Sequence, residues 1–285
     1  FIMTGIIWAC IATFLIAVSP VLAKAGTKKT DPALAGCVVG ITYAIVTFIR
    51  TSGRITAYKY SYIEQKSWIF IILAGAAAGF FAVCFFRALD QGEATNAIPI
   101  MKCNYVITGI AAIFVFGTKP DIKQWVVMGL MVLGTVVITM QSGGKKKNSW
   151  LAYAVLSAIL ISTADLLVKY GAGKIDEYVV KFICIVIGLV VLLIVTFATG
   201  GMKKIRNMSF VDGVFLILSA LAIPAAEDFY SRAAALAGNY AAYIYDVSLL
   251  VMMIIASVSL KEKISGIKIA GAVVFISSLY LQIMW

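Results

Sequence analysis

Charged side chains lie inside or at the ends of long apolar runs, among them Arg87, Lys102, Asp165, Lys169, Glu227, Asp228, Arg232 and Asp246. A charge at the centre of a hydrocarbon-spanning helix costs roughly 2.5–3.5 kcal/mol on insertion scales. Such residues are kept for pairing, for a wet cavity or for a ligand. Helical spacing sorts them. Asp165 and Lys169 stand four apart with the acid leading, the favourable order on a helix, and Asp228 and Arg232 repeat it. Both sets read as structural ion pairs. Arg87 has Asp90 three residues on and can also snorkel.

Three charges have no such neighbour. Lys102 sees Ile98, Pro99, Tyr105 and Val106 one turn away; Glu227 sees Ile223, Pro224, Tyr230 and Ser231; Asp246 sees Ala242, Tyr243, Leu249 and Leu250. An ammonium in that setting suits a substrate carboxylate, and the two acids suit a substrate ammonium. Tyr105, Tyr230, Tyr240, Tyr243 and Tyr245 flank the same segments and could box a cation against their ring faces. Pro99 and Pro224 each remove a backbone donor inside a span, which is tolerated where the helix lines a cavity or packs on protein. The expected substrate-binding set is therefore Lys102, Glu227, Asp246, Tyr105, Tyr243, Tyr245 and Tyr230, on the walls of one central cavity. A permanent Lys102–Asp246 salt bridge is the competing explanation for two of them.

The elements that must hold these residues are spans. Of the 285 residues, 62% are hydrophobic and 13% charged, and mean hydropathy is +1.00. Apolar runs of about twenty residues, enough to cross roughly 30 Å of hydrocarbon, suggest spans at 2–22, 33–49, 68–89, 94–116, 124–141, 149–169, 178–199, 209–232, 238–259 and 266–284. The formal charge of +11 sits mostly in clusters between the runs: Lys28-Lys29, Arg50 to Lys66, Lys145-Lys146-Lys147, and Lys203-Lys204 with Arg206. These read as headgroup anchors and not as a nucleic-acid surface. The 285 residues contain no histidine, and Cys10, Cys37, Cys84, Cys103 and Cys184 fall in apolar runs without metal-ligand spacing. No metal, cofactor or catalytic set is expected, and no phosphate-cradling or dinucleotide motif is present. The first run has no basic leader and reads as a mature span. Gly75-Ala-Ala-Ala-Gly79 offers a small-residue face for close helix packing, with a dimer contact as the lesser reading.

A repeat underlies the ten runs. A shift of 145 superposes Lys24 on Lys169 and Gly26 on Gly171, and a shift of 144 carries Lys102 onto Asp246. The motifs before Gly129 and Gly271 run parallel as well. With five spans per half, the second half enters the membrane inverted. The expectation is an all-α integral membrane protein, ten transmembrane helices in two inverted five-helix repeats, 1–143 and 149–285. Such folds bind substrate near the midplane, where the halves meet.

Ile-Ile-Trp8-Ala in the first span, Phe-Phe-Arg87-Ala-Leu89 ending the third and Leu260-Lys-Glu262-Lys-Ile264 before the tenth, with the paired motifs, resemble the EamA-type branch of the drug/metabolite transporter superfamily. The chain departs from that pattern at Thr118, where the first half lacks a counterpart of Glu262, and near Asn104 and Ser248, where mid-span prolines are expected. The resemblance implies a secondary transporter of the cell membrane, not an enzyme, that moves a small amine-containing metabolite such as an amino acid by alternating access, with protons as an open co-substrate. An organic or quaternary-ammonium carrier is the alternative, and a lipid flippase or intramembrane enzyme the reading of another class. Membrane lipids are the other expected partners; the chain is expected to be a monomer or weak homodimer. The resemblance implies cytoplasmic termini, while loop charges mildly favour the reverse.

Overall fold

The computed structural model of the chain describes residues 2–58, 63–140, 149–171 and 175–284. The Lys145-Lys146-Lys147 cluster and part of the Arg50 to Lys66 cluster lie outside them. Among the described residues the chain forms α1 (Ile2–Gly26), α2 (Pro32–Ala57), α3 (Gln65–Gln91), α4 (Ala94–Lys102), α5 (Asn104–Phe116), α6 (Ile122–Thr139), α7 (Ser149–Gly171), α8 (Glu177–Ala198), α9 (Phe210–Ala237), α10 (Asn239–Asp246), α11 (Ser248–Leu260) and α12 (Gly266–Met284), with a short 3-10 turn at Gly201–Asn207. Nine helical stretches among them are long and apolar enough to cross a membrane, α4–α5 and α10–α11 each counting as one; the apolar part of α12, Gly266–Gln282, falls short of that length. The protein is a multi-pass, all-helical membrane protein.

Local chemistry explains where the helices start. Asp31 accepts the Ala33 amide at 3.1 Å ahead of α2, with Pro32 in the first turn where its missing N–H costs nothing. Asp176 accepts the Tyr178 amide at 2.9 Å ahead of α8 in the same way. Asp121 with Gln124, and Ser209 with Asp212, close capping boxes on α6 and α9.

Small residues bring the helices together, because lipid offers no hydrophobic drive between them and packing must supply the energy. The most intimate pairs are α1 with α9, α3 with α7, α6 with α12, and α8 with α2 and α3. Ser19 and Ser219 exchange hydrogen bonds across α1–α9, each hydroxyl reaching the other's carbonyl at 3.1 and 2.8 Å. The Gly75–Gly79 face is consumed within the chain. A β-carbon at Gly79 would stand 2.7 Å from the Gly188 carbonyl of α8, and one at Gly75 2.7 Å from Ile187.

Two spans are interrupted. Cys103 parts α4 from α5, and Val247 parts α10 from α11. They are the spans in which Asn104 and Ser248 take the place of the expected prolines. The start of α4 is also unusual, being capped from across the chain. Glu262, in the link between α11 and α12, accepts the Ala94 and Thr95 amides at 2.8 and 2.9 Å.

Candidate substrate site

The two interruptions build the site. Lys102 is the last residue of α4 and Asp246 the last of α10. Each charge therefore stands at a one-residue break where the end of one helix abuts the start of the next. Lys102 Nζ donates to the Ser248 hydroxyl at 3.2 Å, across the second interruption. It lies within electrostatic reach of Asp246, yet no ion pair within 4.0 Å joins the two among the described residues. Both side chains are half-buried.

Tyrosines close around them. Tyr105, on the first turn of α5, is within reach of Asp246, Asp165 and Tyr230. The Tyr230 and Tyr245 rings lie 4.6 Å apart, and Tyr245 feels Tyr105, Glu227 and Asp246. Electrostatic reach thus links Asp246 to Lys102, Tyr105, Tyr230 and Tyr245, and Asp165 to Tyr105, from α4, α5, α7, α9 and α10. Tyr243 goes elsewhere, with its ring 4.4 Å from that of Tyr280 and 6.3 Å from that of Tyr240. A cavity of about 370 Å³ runs from Tyr105 between α5, α6 and α12 to Thr118, Asp121, Lys123 and Gln124. Of the residues expected in one cavity wall, Tyr105 lines this one; Lys102, Glu227, Asp246, Tyr243, Tyr245 and Tyr230 do not.

The structure redraws the expected pairs. Asp228 meets Arg50 of α2, not Arg232; Arg232 lies over Trp8, its guanidinium carbon 5.9 Å from the ring centroid. A same-helix pair contributes only a few tenths of a kcal/mol, so a better-placed partner on a neighbouring helix wins. Arg87 turns to Tyr153, at 3.4 Å from its hydroxyl. Among the described residues no ion pair closes between Asp165 and Lys169. Instead Ser162, three positions before Asp165 and on the same face of α7, donates to the Asn104 carbonyl at 3.0 Å. That contact seats this face of α7 on the first interruption and leaves Asp165, an exposed side chain, beside Tyr105.

Glu227 is not solitary either. Lys181 of α8 binds it at 2.7 Å and rests over Tyr43, 5.9 Å from that ring centroid. Lys181 stands inside the apolar run 178–199, a further in-span charge hidden in the sequence by the strongly apolar residues that follow it.

Known proteins resemble parts of this sequence, and one solved structure resembles its fold. Residues 3–140 match the EamA-like transporter family. A relative from Sinorhizobium sp, described as an uncharacterized transporter in cobO 3'region, is 26% identical over 135 residues, which are 47% of this chain and 94% of that protein. The Proteus mirabilis (strain HI4320) protein described as "Probable 4-amino-4-deoxy-L-arabinose-phosphoundecaprenol flippase subunit ArnE" is 27% identical over 78 residues, 27% of this chain and 69% of its own. A solved crystal structure superposes on 96% of this chain and 94% of its own with a TM-score of 0.63, and at 14% identity that likeness is one of fold alone. Nearly all of the chain's first half thus resembles the EamA-like transporter family.

Proposed function

We propose that this membrane transporter is a secondary carrier that moves a small, polar, amine-containing metabolite across the cytoplasmic membrane by alternating access, with substrate bound between the two interrupted spans. The observation that carries this reading is the meeting of Lys102, Asp165 and Asp246 with Tyr105, Tyr230 and Tyr245 at two interruptions that stand at equivalent places in the halves. Lys102 offsets one of the two acids and Lys181 offsets Glu227, so the cluster retains one negative charge. That balance favours an ammonium over an anion, and the phenol faces add cation–π attraction. Lys102 and Ser248 are left to receive the carboxylate of an amino-acid-like substrate.

Alternating access asks for two related halves, and several features support them. A shift of 145 carries the starts of α2, α3 and α4 onto those of α8, α9 and α10, and a shift of 144 carries the starts of α5 and α6 onto those of α11 and α12. The intimate packing of α1 on α9 becomes, under that shift, the packing of α7 on α3, while α2–α8 and α6–α12 map onto themselves. Five spans per half then invert the second repeat, with 1–143 and 149–285 as its bounds. The Sinorhizobium relative, matched over 94% of its length by 47% of this chain, is the size of one half.

A second reading is favoured by the likeness to the ArnE flippase subunit, whose named cargo is a lipid-linked amino sugar. The cavity between α5, α6 and α12, apolar at Ile113, Val127, Met128 and Met131, suits such an amphipath. Both readings place an amine on the same acids. A thermal-shift screen of the purified protein against amino acids, polyamines, choline-like cations, nucleosides and amino-sugar lipids separates them, since a ligand of the folded state raises the melting temperature with its occupancy. Stabilisation by a water-soluble amine is expected; stabilisation only by the lipid selects the flippase, and stabilisation only by anions overturns both.

A further inference from the structure

One face of the bundle is tied by buried charged side chains, while the ion pairs described toward the opposite face, Arg50–Asp228, Arg54–Asp176 and Lys181–Glu227, are more exposed. Helix α5 ends on Gly117 and α11 on Lys261, which match in the repeat, and both are left-handed with φ of 63° and 58°. Lys261 is the one non-glycine residue with positive φ among the described residues, a conformation that disfavours an L side chain. The turns are alike, but the residue that follows each differs: Thr118 in the first half, Glu262 in the second.

Glu262 turns inward and is 7% exposed. Its carboxylate takes the first two amides of α4 at 2.8 and 2.9 Å, meeting the positive end of that helix, and pairs with Lys24 at the end of α1 at 3.1 Å. Lys24 also donates to the Gly92 carbonyl in the α3–α4 link. Beside them Lys268, near the start of α12 and 3% exposed, binds Glu93 at 2.8 Å, the Thr95 hydroxyl at 3.3 Å and the Lys263 carbonyl at 3.2 Å. Four charges from α1, the α3–α4 link, the α11–α12 link and α12 thus seal the outer end of α4, where Ala94 to Ile100 are all buried.

At the opposite end no buried cluster of this kind closes the start of α10 among the described residues, although Arg50–Asp228, Arg54–Asp176 and Lys181–Glu227 pair α2, α8 and α9 there. Gly238, with φ of 55°, stands before α10 where Glu93 stands before α4, and no side chain caps α10. Thr118, Asp121, Lys123 and Gln124 line the cavity that reaches inward to Tyr105.

We infer that the Lys24–Glu262–α4 cluster, with Lys268 and Glu93, is the latch of one gate, which must release for the site to face that side of the membrane. Helices packed at two alternative arrangements are bistable, not continuously deformable, and the latch interactions exist in one arrangement only, so they bias the equilibrium toward it. The inference rests on the alternating-access reading, with the resting protein open toward the Thr118 face.

Accessibility tests it without knowledge of the substrate. Tyr105→Cys places a thiol at the inner end of the cavity, and a membrane-impermeant maleimide is applied to intact cells and, separately, to inverted membrane vesicles. The parent protein, with its five native cysteines, supplies the background. With the latch intact, Tyr105→Cys should label in one preparation only. Adding Lys24→Met or Glu262→Gln should raise labelling from the other side on the order of tenfold, as expected when an interaction specific to one of two states is lost. Lys24→Arg, which keeps the ion pair, should remain one-sided and shows that the effect is not a loss of fold. One-sided labelling that persists in both Lys24→Met and Glu262→Gln overturns the latch and leaves the site standing. Equal labelling from both sides with the latch intact also overturns it. Labelling from neither side in any variant overturns the cavity reading together with the latch.

Discussion

Replacing Glu262 by alanine should cost this protein more stability than any single surface charge, and the structure says why. The carboxylate is 7% exposed and holds two amides and one ammonium. Its removal leaves the Ala94 and Thr95 amides without an acceptor, at about 1–3 kcal/mol for each buried group left unsatisfied. It also leaves Lys24, with its side chain only 19% exposed, without its acid, and breaking a buried pair by deleting one partner costs roughly 3–5 kcal/mol. These are overlapping descriptions of one site and do not add, so the total is expected at about 3–5 kcal/mol. Taking roughly 2–4 °C per kcal/mol for a chain somewhat smaller than this one, the melting temperature in detergent should fall by roughly 6–20 °C. Glu262→Gln keeps one acceptor oxygen and should fall by less. Lys261→Ala and Lys263→Ala, at exposed neighbours, should stay within about 0.5 kcal/mol of the parent. A Glu262→Ala protein that melts with these two controls would refute the argument that the carboxylate closes the end of α4.

Other substitutions probe packing and pairing. Gly79→Leu should lower stability sharply, because its β-carbon would stand 2.7 Å from the Gly188 carbonyl, whereas Gly129→Ala, with nothing within 4 Å, should not; melting curves compare them. Asp228→Asn loses an ion pair with side chains 30% and 51% exposed and should cost no more than about 1 kcal/mol, with Arg232→Ala uncoupled from it in a double-mutant cycle. Glu227→Gln and Lys181→Met should be less than additive when combined, since each single change leaves the other half-buried charge without its partner; additive losses measured by melting would show that the pair is not a unit. Asp165→Asn should weaken binding of whichever amine the screen finds without lowering the melting temperature of the free protein, and an unchanged dissociation constant would remove Asp165 from the site.

The spans are legible because hydropathy and breakers are written along the chain. The same holds for the helix starts at Asp31 and Asp176, whose capping side chains act within a turn of their own position. The interruptions at Cys103 and Val247 adjoin Asn104 and Ser248, the residues that depart from the family pattern. What is not legible is which helix supplies a partner. Sequence spacing measures neighbours on one helix only, so Asp228 is assigned to Arg232 although Arg50 stands closer in space. Asp165 is assigned to Lys169 although the Ser162–Asn104 contact carries it toward Tyr105. Glu227 is rightly seen to lack a partner on its own helix, but Lys181 lies on another. Tyr243 resembles Tyr245 in sequence, yet two positions back along α10 its ring meets Tyr280 instead.

The central claim is that Lys102 and Asp246 bind substrate and are not a structural pair. Uptake of the best amine from the screen into proteoliposomes tests it directly, with Lys102→Met, Asp246→Asn and the double variant, each checked for normal insertion and melting. A binding site predicts that both single changes and the double change abolish uptake in a protein that still folds. Normal uptake by the double variant would mean that the two charges only neutralise each other, and would contradict the account.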